Sequence, residues 1–327
     1  FNMRKVLLTT TALVALGGAS TASALDISGN YMFDYIINDN GTANTAGNNN
    51  TNMASDLEIN FKNSTTTDAG LTFSVAAKLN ASGNIEDQKL GAAGDFGSIE
   101  FGASDGFVDG VDAGYAGSDY PHTGAGTSLS TVNTGSGVAD TATAEKIGYK
   151  SPVISGFQVS VVHQDAGRTS KADINSWAAT YDFGVAKIGY ASSKTGAAAG
   201  TSADTEMKNY GIVAGFGDVE IRFSNGTDTT KTTAGGESSK IDTGDWGLEY
   251  SGFDGVSLYY NGVSSEEKTG SNAGDKLDAT IIGLTYTVAP GVTAQLESGN
   301  NDYTDATSGN TNGDQSNYTY MGLKVAF

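Results

Sequence analysis

Apolar and polar residues alternate with a period of two along most of the chain. From Leu25 to Ile37 the odd positions are mostly apolar or aromatic, and the even positions are mostly polar. The same alternation recurs from Ala54 to Asn63 and from Ala69 to Asn80. Because successive side chains of a β-strand point to opposite faces, this pattern predicts strands that lie between an apolar and a polar environment.

Further segments with this pattern bring the predicted total to sixteen strands. Their connections alternate in length, with long polar loops such as Asn38 to Met53 at one end and short turns such as Ser64 to Asp68 at the other. An even number of strands joined in this way predicts an all-β fold, a 16-stranded antiparallel transmembrane β-barrel. The further segments are residues 86–93, 97–103, 144–151, 156–164, 173–183, 184–193, 207–216, 218–225, 241–251, 253–263, 277–288, 291–299 and 317–327.

The charged residues of the predicted strands test this barrel independently. Almost all share the polar parity of their strand, whereas a basic residue on the lipid face at mid-bilayer would cost about 2–4 kcal/mol. The exceptions, Lys208 and Asp278, and also His163, fall near the loop ends of their strands, where this cost is small. A soluble β-sandwich would give the same alternation but would not require alternating short and long connections. The charges of polar parity are Lys62, Lys78, Lys89, Glu100, Lys146, Lys150, Asp182, Lys187, Glu220, Arg222, Asp245, Glu249, Glu297 and Lys324.

The longest connection, residues 102–143, has no hydrophobic period. A loop of this length in a compact domain is usually functional, and a wide barrel would accommodate it as a loop that folds inward and narrows the lumen. Helical spacing would put Asp105, Asp109 and Asp112 on one side. The other side would carry the apolar residues Phe107, Val108, Val111 and Tyr115. We expect the apolar side to contact the barrel wall and the carboxylates to line a pore constriction; a solvated acidic loop is the alternative. The candidate constriction residues are Asp105, Asp109, Asp112 and Asp119.

The first 24 residues have the pattern of a secretory signal peptide. Arg4 and Lys5 precede an apolar run, Val6 to Leu16, that is too short to span a bilayer as a helix. A small-x-small sequence, Ala22-Ser23-Ala24, follows it. We therefore expect residues 1–24 to be removed and residues 25–327 to form the barrel domain; an N-terminal membrane anchor is the alternative.

Composition excludes several classes of protein. The full chain carries a net charge of −19, and without Arg4 and Lys5 the 16 remaining basic and 37 acidic residues give −21. This balance argues against nucleic acid and anionic membrane surfaces as partners. The chain has no cysteine, which excludes disulfides, thiolate metal sites and cysteine nucleophiles. Beyond residue 24 no run of 18 apolar residues predicts a transmembrane helix.

Candidates for catalysis and for metal binding are few. His122 and His163 are the only histidines, and His163 with Asp165 is the one suggestive pair, so we predict that the protein is not an enzyme. The Asp-Gly pairs of the long loop do not match a calcium-binding EF-hand. We predict no cofactor, although acidic outer loops such as Asp302 to Asp314 could hold Ca²⁺ weakly rather than being merely hydrated.

The end of the chain carries a specific resemblance. The segment from Tyr318 to Phe327 alternates and ends on an aromatic residue. It resembles the terminal strand that the barrel-assembly machinery reads in Gram-negative outer-membrane proteins. Two internal stretches, Gly94 to Gly102 and Lys146 to Val159, resemble the general trimeric porins, particularly the alphaproteobacterial type. The strand pattern covers all of residues 25–327, whereas close similarity in amino-acid sequence is confined to these three stretches.

This resemblance implies a homotrimeric general diffusion porin of the outer membrane, in contact with outer-membrane lipid and lipopolysaccharide. Small hydrophilic solutes would cross passively through its water-filled lumen. In that family a constriction loop faces a basic cluster on the inner wall, but beyond residue 24 this chain has only two arginines, Arg168 and Arg222. The nearest substitutes on the inner wall are Lys62, Lys78, Lys89, Lys146 and Lys150.

The excess of negative charge predicts a cation-preferring pore, because a negative lumen concentrates cations and repels anions. A substrate-specific channel is one alternative; it would need a row of inward aromatic residues, for which Tyr259, Ile36 and Tyr320 are too scattered along the sequence. A secreted soluble β-rich adhesin is another, and it would be soluble without detergent. For the trimer, small outward residues such as Gly29 and Ala77 are candidates for packing against a neighbour.

Overall fold

The computed structural model describes residues 25–40, 51–103, 108, 145–165, 173–196, 204–232, 236–306 and 310–327. These residues form sixteen antiparallel strands in a closed barrel, as the sequence predicted. Each strand pairs with its sequence neighbours, and β1 pairs with β16 to close the cylinder. The strands are β1 (Asp26–Asn40), β2 (Thr51–Thr66), β3 (Thr72–Leu79), β4 (Ile85–Gly94), β5 (Gly97–Ala103), β6 (Lys146–Lys150), β7 (Phe157–Gln164), β8 (Ile174–Asp182), β9 (Ala186–Thr195), β10 (Asp204–Phe216), β11 (Val219–Lys231), β12 (Glu237–Phe253), β13 (Val256–Thr269), β14 (Lys276–Ala289), β15 (Val292–Asp305) and β16 (Asn310–Ala326).

Several strands extend further into the long-loop side than the alternation predicts. The sequence pattern placed residues 226–240 in a loop, but β11 continues to Lys231 and β12 begins at Glu237. Within this extension Thr230 pairs with Ser239, so the backbone ladder persists. The extension is polar on both faces, and the apolar alternation that identifies a lipid-facing strand is therefore absent there.

The height of the wall differs around the barrel. β6 has five residues and β12 has seventeen. A strand needs about 9–11 residues to cross a bilayer, so the longest strands project beyond it on the side of the long loops. No helix in the described part of the chain combines the length and the apolar character needed to cross a bilayer.

The register confirms the parity of the charged residues. Ala76 of β3 pairs with Lys89 of β4, which puts Lys78 and Lys89 on one face of the sheet. The opposite face of the same two strands exposes Phe73 and Leu90. The charged face therefore lines the lumen of the closed barrel, and the apolar face is its outer surface.

Outward charges on the tall side lie near the long-loop ends of their strands, as predicted for Lys208 and Asp278. Glu266 of β13 illustrates the arrangement: its carboxylate lies 2.8 Å from Lys268 Nζ and 3.4 Å from Lys276 Nζ. Such charges mark where the apolar band of the outer face ends.

The last residue of the chain closes the seam between β1 and β16. Gly29 N donates to Phe327 O at 2.8 Å, and Phe327 N donates to Gly29 O at 3.0 Å. The Phe327 ring lies over Gly29, where an added Cβ would lie 2.8 Å from Phe327 Cζ. Gly29 is thus buried within its own chain, and the prediction that it packs against a neighbouring subunit is wrong. Ala77, the other candidate, remains partly exposed.

Candidate pore and its inner wall

Lys78 is held among carboxylates on the inner wall of β2–β4. Its Nζ lies 3.1 Å from Glu58 Oε1, 3.2 Å from Glu86 Oε2 and 3.7 Å from Asp87 Oδ2. Glu58 is itself fixed by Asn30, whose Nδ2 donates to Glu58 Oε2 at 3.1 Å. One ammonium group therefore faces three carboxylates, and this part of the wall carries net negative charge.

The other lysines predicted to face the pore also lie on the inner face of β2–β6, but their environments differ. Lys89 Nζ lies 3.2 Å from Glu100 Oε2. Lys62 is exposed and Lys150 is partly buried. Lys146 exposes only 6% of its surface, so its ammonium group is largely inaccessible to a passing solute. The alternation along each strand predicted the face on which each lysine lies, but the charged partners of the lysines come from the structure.

Beyond the end of β5, Val108 is the described residue of the long connection, and it is anchored to the wall. Val108 is 1% exposed and packs against Val162 of β7, Ala178 of β8 and Ala191 of β9. The register puts these three residues on the lumen face. Beyond the end of β5 at Ala103, the chain is therefore on the inner side of the barrel by residue 108. For Val108 the predicted contact of the apolar side with the wall is confirmed. Phe107, Val111 and Tyr115 lie outside the described residues, and for them the contact stays a prediction.

A second apolar cluster lies on the inner wall of β13–β16. Tyr259, Ile281, Tyr318 and Tyr320 pack together, with Ile36 of β1 against them. Barrel closure makes Ile36 and Tyr320 direct cross-strand partners, although they are at opposite ends of the sequence. Tyr259, Ile36 and Tyr320, which the sequence analysis treated as scattered, therefore lie in one cluster.

Hydrogen bonds fix the phenol groups of this cluster. Tyr259 OH donates to Glu297 Oε1 at 2.6 Å, and Gln295 Nε2 donates to the same two oxygens at 3.0 and 2.6 Å, respectively. Tyr320 OH donates to Asp34 Oδ1 at 2.5 Å. Both tyrosines expose 3% or less of their surface, so neither ring is presented to a solute as part of an open binding track.

Two glycines of neighbouring strands make room for the tyrosine rings. Gly299 of β15 is the cross-strand partner of Tyr318, and Gly283 of β14 is the partner of Tyr259. An added Cβ at either glycine would overlap the ring that lies over it. An aromatic ring that covers a cross-strand glycine helps to fix register, so these pairs specify how the wall is assembled.

The sequence matches the family described as Gram-negative porin over residues 9–322. The chain belongs to the Gram-negative porins. As a porin it is an outer-membrane channel rather than an enzyme, and small hydrophilic solutes diffuse passively through its lumen. The closed sixteen-stranded barrel and the lumen-facing charges are the structural basis of that activity.

Solved porin structures share this fold at low sequence identity. A porin refined at 1.8 Å resolution has a TM-score of 0.68 at 18% identity and covers 93% of this chain and 100% of its own. The anion-selective porin from Comamonas acidovorans has 0.65 at 13%, with 93% and 99% covered. The trimer form of OmpT, an outer-membrane protein of Vibrio cholerae, has 0.63 at 15%, with 94% and 100% covered. A search of curated proteins gave no match.

The remaining residues that the sequence analysis singled out fall either within or outside the described part of the chain. His163 Nδ1 lies 2.9 Å from Asn175 Oδ1 on the outer face, so the histidine does not point into the lumen. Among the described residues no group of three or more His, Asp or Glu could hold a metal ion. The other group lies outside the described residues and stays a prediction: Asp105, Asp109, Asp112, Asp119, His122 and Arg168.

Proposed function

We propose that this porin conducts cations in preference to anions. The observation that carries the proposal is the environment of Lys78, whose ammonium group lies within 4 Å of three carboxylates. In a general porin the inner wall would need uncompensated positive charge to attract anions. Here Lys78, near the end of β3, is outnumbered by its own partners.

The sign of the preference must come from side chains rather than from the fold. The Comamonas acidovorans porin shares the barrel and is described as anion-selective. In this chain Lys89 is also paired, with Glu100. Residues 25–327, which exclude Arg4 and Lys5, carry a net charge of −21. At physiological salt the Debye length is about 8 Å, so charges on the inner wall act on a passing ion and distant outer-loop charges do not.

The loop carboxylates are the proposed second contribution. Asp105 and Asp109 flank Val108 in the sequence, and Val108 is the residue anchored to the lumen side of β7–β9. Asp112 and Asp119 follow. Carboxylates near an anchored point of an inward chain would add negative potential at the narrowest part of the pore, which supports their assignment to the filter.

Reversal potentials in a salt gradient across a planar bilayer test this proposal. The wild-type protein should reverse at a potential of the sign expected for cations. Changing Asp105, Asp109 and Asp112 together to Asn should move the reversal potential toward zero. The matched control changes Asp204, Asp242 and Asp278 to Asn, because these remove the same charge from the outer face. An anion-preferring wild type, or equal shifts in both triple variants, would contradict the assignment.

The assembly of this porin is proposed from its relatives. We infer a homotrimer because OmpT of Vibrio cholerae, which shares the fold, has a trimer form. Outer-membrane lipid and lipopolysaccharide would contact the exposed apolar face. The barrel-assembly machinery would read the terminal strand that ends at Phe327. The ring of Phe327 over Gly29 supports a role for this residue in closing the barrel.

A further inference from the structure

The charged side chains of the inner wall are unevenly distributed along the axis of the barrel. Each strand runs between a short turn and a long loop, which in outer-membrane barrels are the periplasmic and extracellular ends, respectively. The height of an inner-wall residue can therefore be counted from the short-turn end of its strand. The lower half of the wall comprises the residues within four positions of that end, and the upper half comprises the rest of each strand.

The lower half carries slightly more basic than acidic groups at its accessible positions. Its acids are Asp26, Asp182, Glu220 and Glu249. Its bases are Lys62, Lys150, Lys187, Arg222 and Lys324. Most of the acids have a basic neighbour: Asp26 and Lys62 are cross-strand partners, as are Asp182 and Lys187, and Arg222 Nε donates to Glu220 Oε1 at 2.6 Å. Five bases and four acids give this half a net charge of +1.

The upper half is acidic at its accessible positions. Its acids are Asp34, Asp56, Glu58, Asp87 and Asp228. The accessible base that lies wholly within this half of the described wall is Lys78, which is already surrounded by carboxylates. Five acids and one base give a net charge of −4. Glu86, which reaches Lys78 from the loop end of β4, makes this half more negative still.

The other charges of the described inner wall do not remove this contrast. Lys89 Nζ lies 3.2 Å from Glu100 Oε2 across the boundary, so this pair adds no net charge to either half. The nearly buried charges, which expose 6% or less of their surface, are Lys146 in the lower half and Asp245, Glu267 and Glu297 in the upper half. Including them would make the lower half more positive and the upper half more negative.

The two halves are far enough apart to act separately on an ion. Asp26 and Asp34 are eight residues apart on β1. This spacing corresponds to about 27 Å along the strand, and to roughly 20 Å along the axis of a barrel whose strands are tilted by about 40°. The Debye length at 0.1 M salt is only about 10 Å. An ion in the upper half therefore meets a negative wall, and an ion in the lower half meets a weakly positive one.

We propose that this porin rectifies, passing more current when cations are driven from the long-loop side to the short-turn side. With that polarity cations enter through the negative half and anions enter through the positive half, so both accumulate where the halves meet and the conductance rises. With the opposite polarity each ion first meets the half that repels it, and the conductance falls. The inference deepens the proposed function, since it rests on the same negative upper wall and adds a direction of easier flow.

Single-channel currents at equal and opposite voltages, with the same potassium chloride concentration on both sides, measure the rectification directly. The ratio of the larger to the smaller current should be about 1.5–3 at 0.1 M salt, and it should approach one at 1 M, where the Debye length is about 3 Å. Burial raises the pKa of Asp228, so a mildly alkaline buffer keeps this carboxylate ionised. The ratio does not depend on which way a channel has inserted.

Two double variants separate rectification from ion selectivity. Asp56→Asn with Asp228→Asn removes two acids from the upper half and should bring the ratio toward one. Asp26→Asn with Glu249→Gln, the matched control, removes two acids from the lower half and should raise the ratio. Both variants lose the same total charge, so both should shift the reversal potential in a salt gradient in the same direction. Heat-modifiable migration on gels confirms that each variant is folded, and Asp56→Asn is compared with Glu249→Gln if either double variant does not fold.

The direction of easier flow requires the orientation of the channel to be known. The chain has no cysteine, so Ala81→Cys, in the exposed turn between β3 and β4, can carry a single biotin on the long-loop side. Streptavidin added to one compartment binds only the channels whose long loops face it, and its binding perturbs their current. The larger current should flow when the compartment that contains the long loops is positive.

Three results would overturn the proposal. A ratio of one at 0.1 M salt would mean that the two halves do not act separately. Equal ratios in the two double variants would mean that the shape of the lumen, and not its charge, causes the asymmetry. A larger current with the long-loop compartment negative would reverse the direction. A wild-type reversal potential of the sign expected for anions, with all predicted ratios observed, would contradict the proposed cation preference and support this inference.

Discussion

Changing Lys78 to Gln should increase the cation preference of the pore. The substitution removes one positive charge from the inner wall and leaves the carboxylates of Glu58, Glu86 and Asp87 without their shared lysine. A cation that passes about 7 Å from the ammonium group in water is repelled by roughly 0.6 kcal/mol. Removing this repulsion, and the matching attraction on anions, changes the cation-to-anion ratio by about twofold at 0.15 M salt and about fivefold at 0.01 M, where screening is weaker.

The assay is the reversal potential of the purified protein in a fixed salt gradient, measured at both ionic strengths. Lys208→Gln is the matched control, because Lys208 lies on the outer face of β10 with its Nζ 2.9 Å from Glu206. It removes the same charge without altering the lumen and should leave the reversal potential unchanged. The reasoning is refuted if Lys78→Gln has no effect, if Lys208→Gln has an equal effect, or if the shift does not grow as the salt concentration falls.

Three further predictions concern stability and assembly. Gly299→Ala should destabilise the barrel by about 1–3 kcal/mol because its Cβ would overlap the Tyr318 ring; Gly215→Ala, with no atom within 4 Å, should change stability by less than about 1 kcal/mol in urea titrations. Phe327→Ala uncovers Gly29 and should lower the temperature of the gel-mobility transition; an unchanged temperature would exclude the seam contact as a source of stability. Detergent-corrected light scattering should give three times the mass of one chain, and the mass of a single chain would rule out the trimer.

The strands and their faces were predictable because lipid and water act on alternate residues of every strand. Phe73 and Lys78 have opposite parity on β3, and the structure places one on each face. The same signal fails where the wall rises above the membrane. Thr230 and Ser239 pair within β11 and β12, but no lipid covers that part of the wall, so no apolar alternation marks it.

Contacts across the barrel seam were not predictable from local pattern. Ile36 meets Tyr320, and Phe327 covers Gly29, because the stagger of a closed barrel fixes which distant residues pair. The partners of Lys78, in contrast, could have been predicted from the sequence. Counting back from the short turn between β2 and β3 puts Asn60 opposite Lys78, and therefore places the next residue of the same face, Glu58, within reach of its ammonium group.

The distribution of side chains on the outer face also depends on register rather than on composition. Tyr149, Val161 and Trp177 lie on three different strands, and only their alignment in one row leaves a groove between two rings. The sequence marked His163 as the one histidine of outward parity near a strand end. Its neighbour across the sheet, Asn175, could be assigned only once the pairing of β7 and β8 was known.

A single-channel recording of the wild-type protein in a planar bilayer under a potassium chloride gradient tests the central claim most directly. The structure predicts discrete current steps through a permanent water-filled pore and a reversal potential of the sign expected for cations. The absence of steps would contradict the open lumen. A reversal potential of the opposite sign would contradict the dominance of the carboxylates around Lys78 over the lysines of the inner wall.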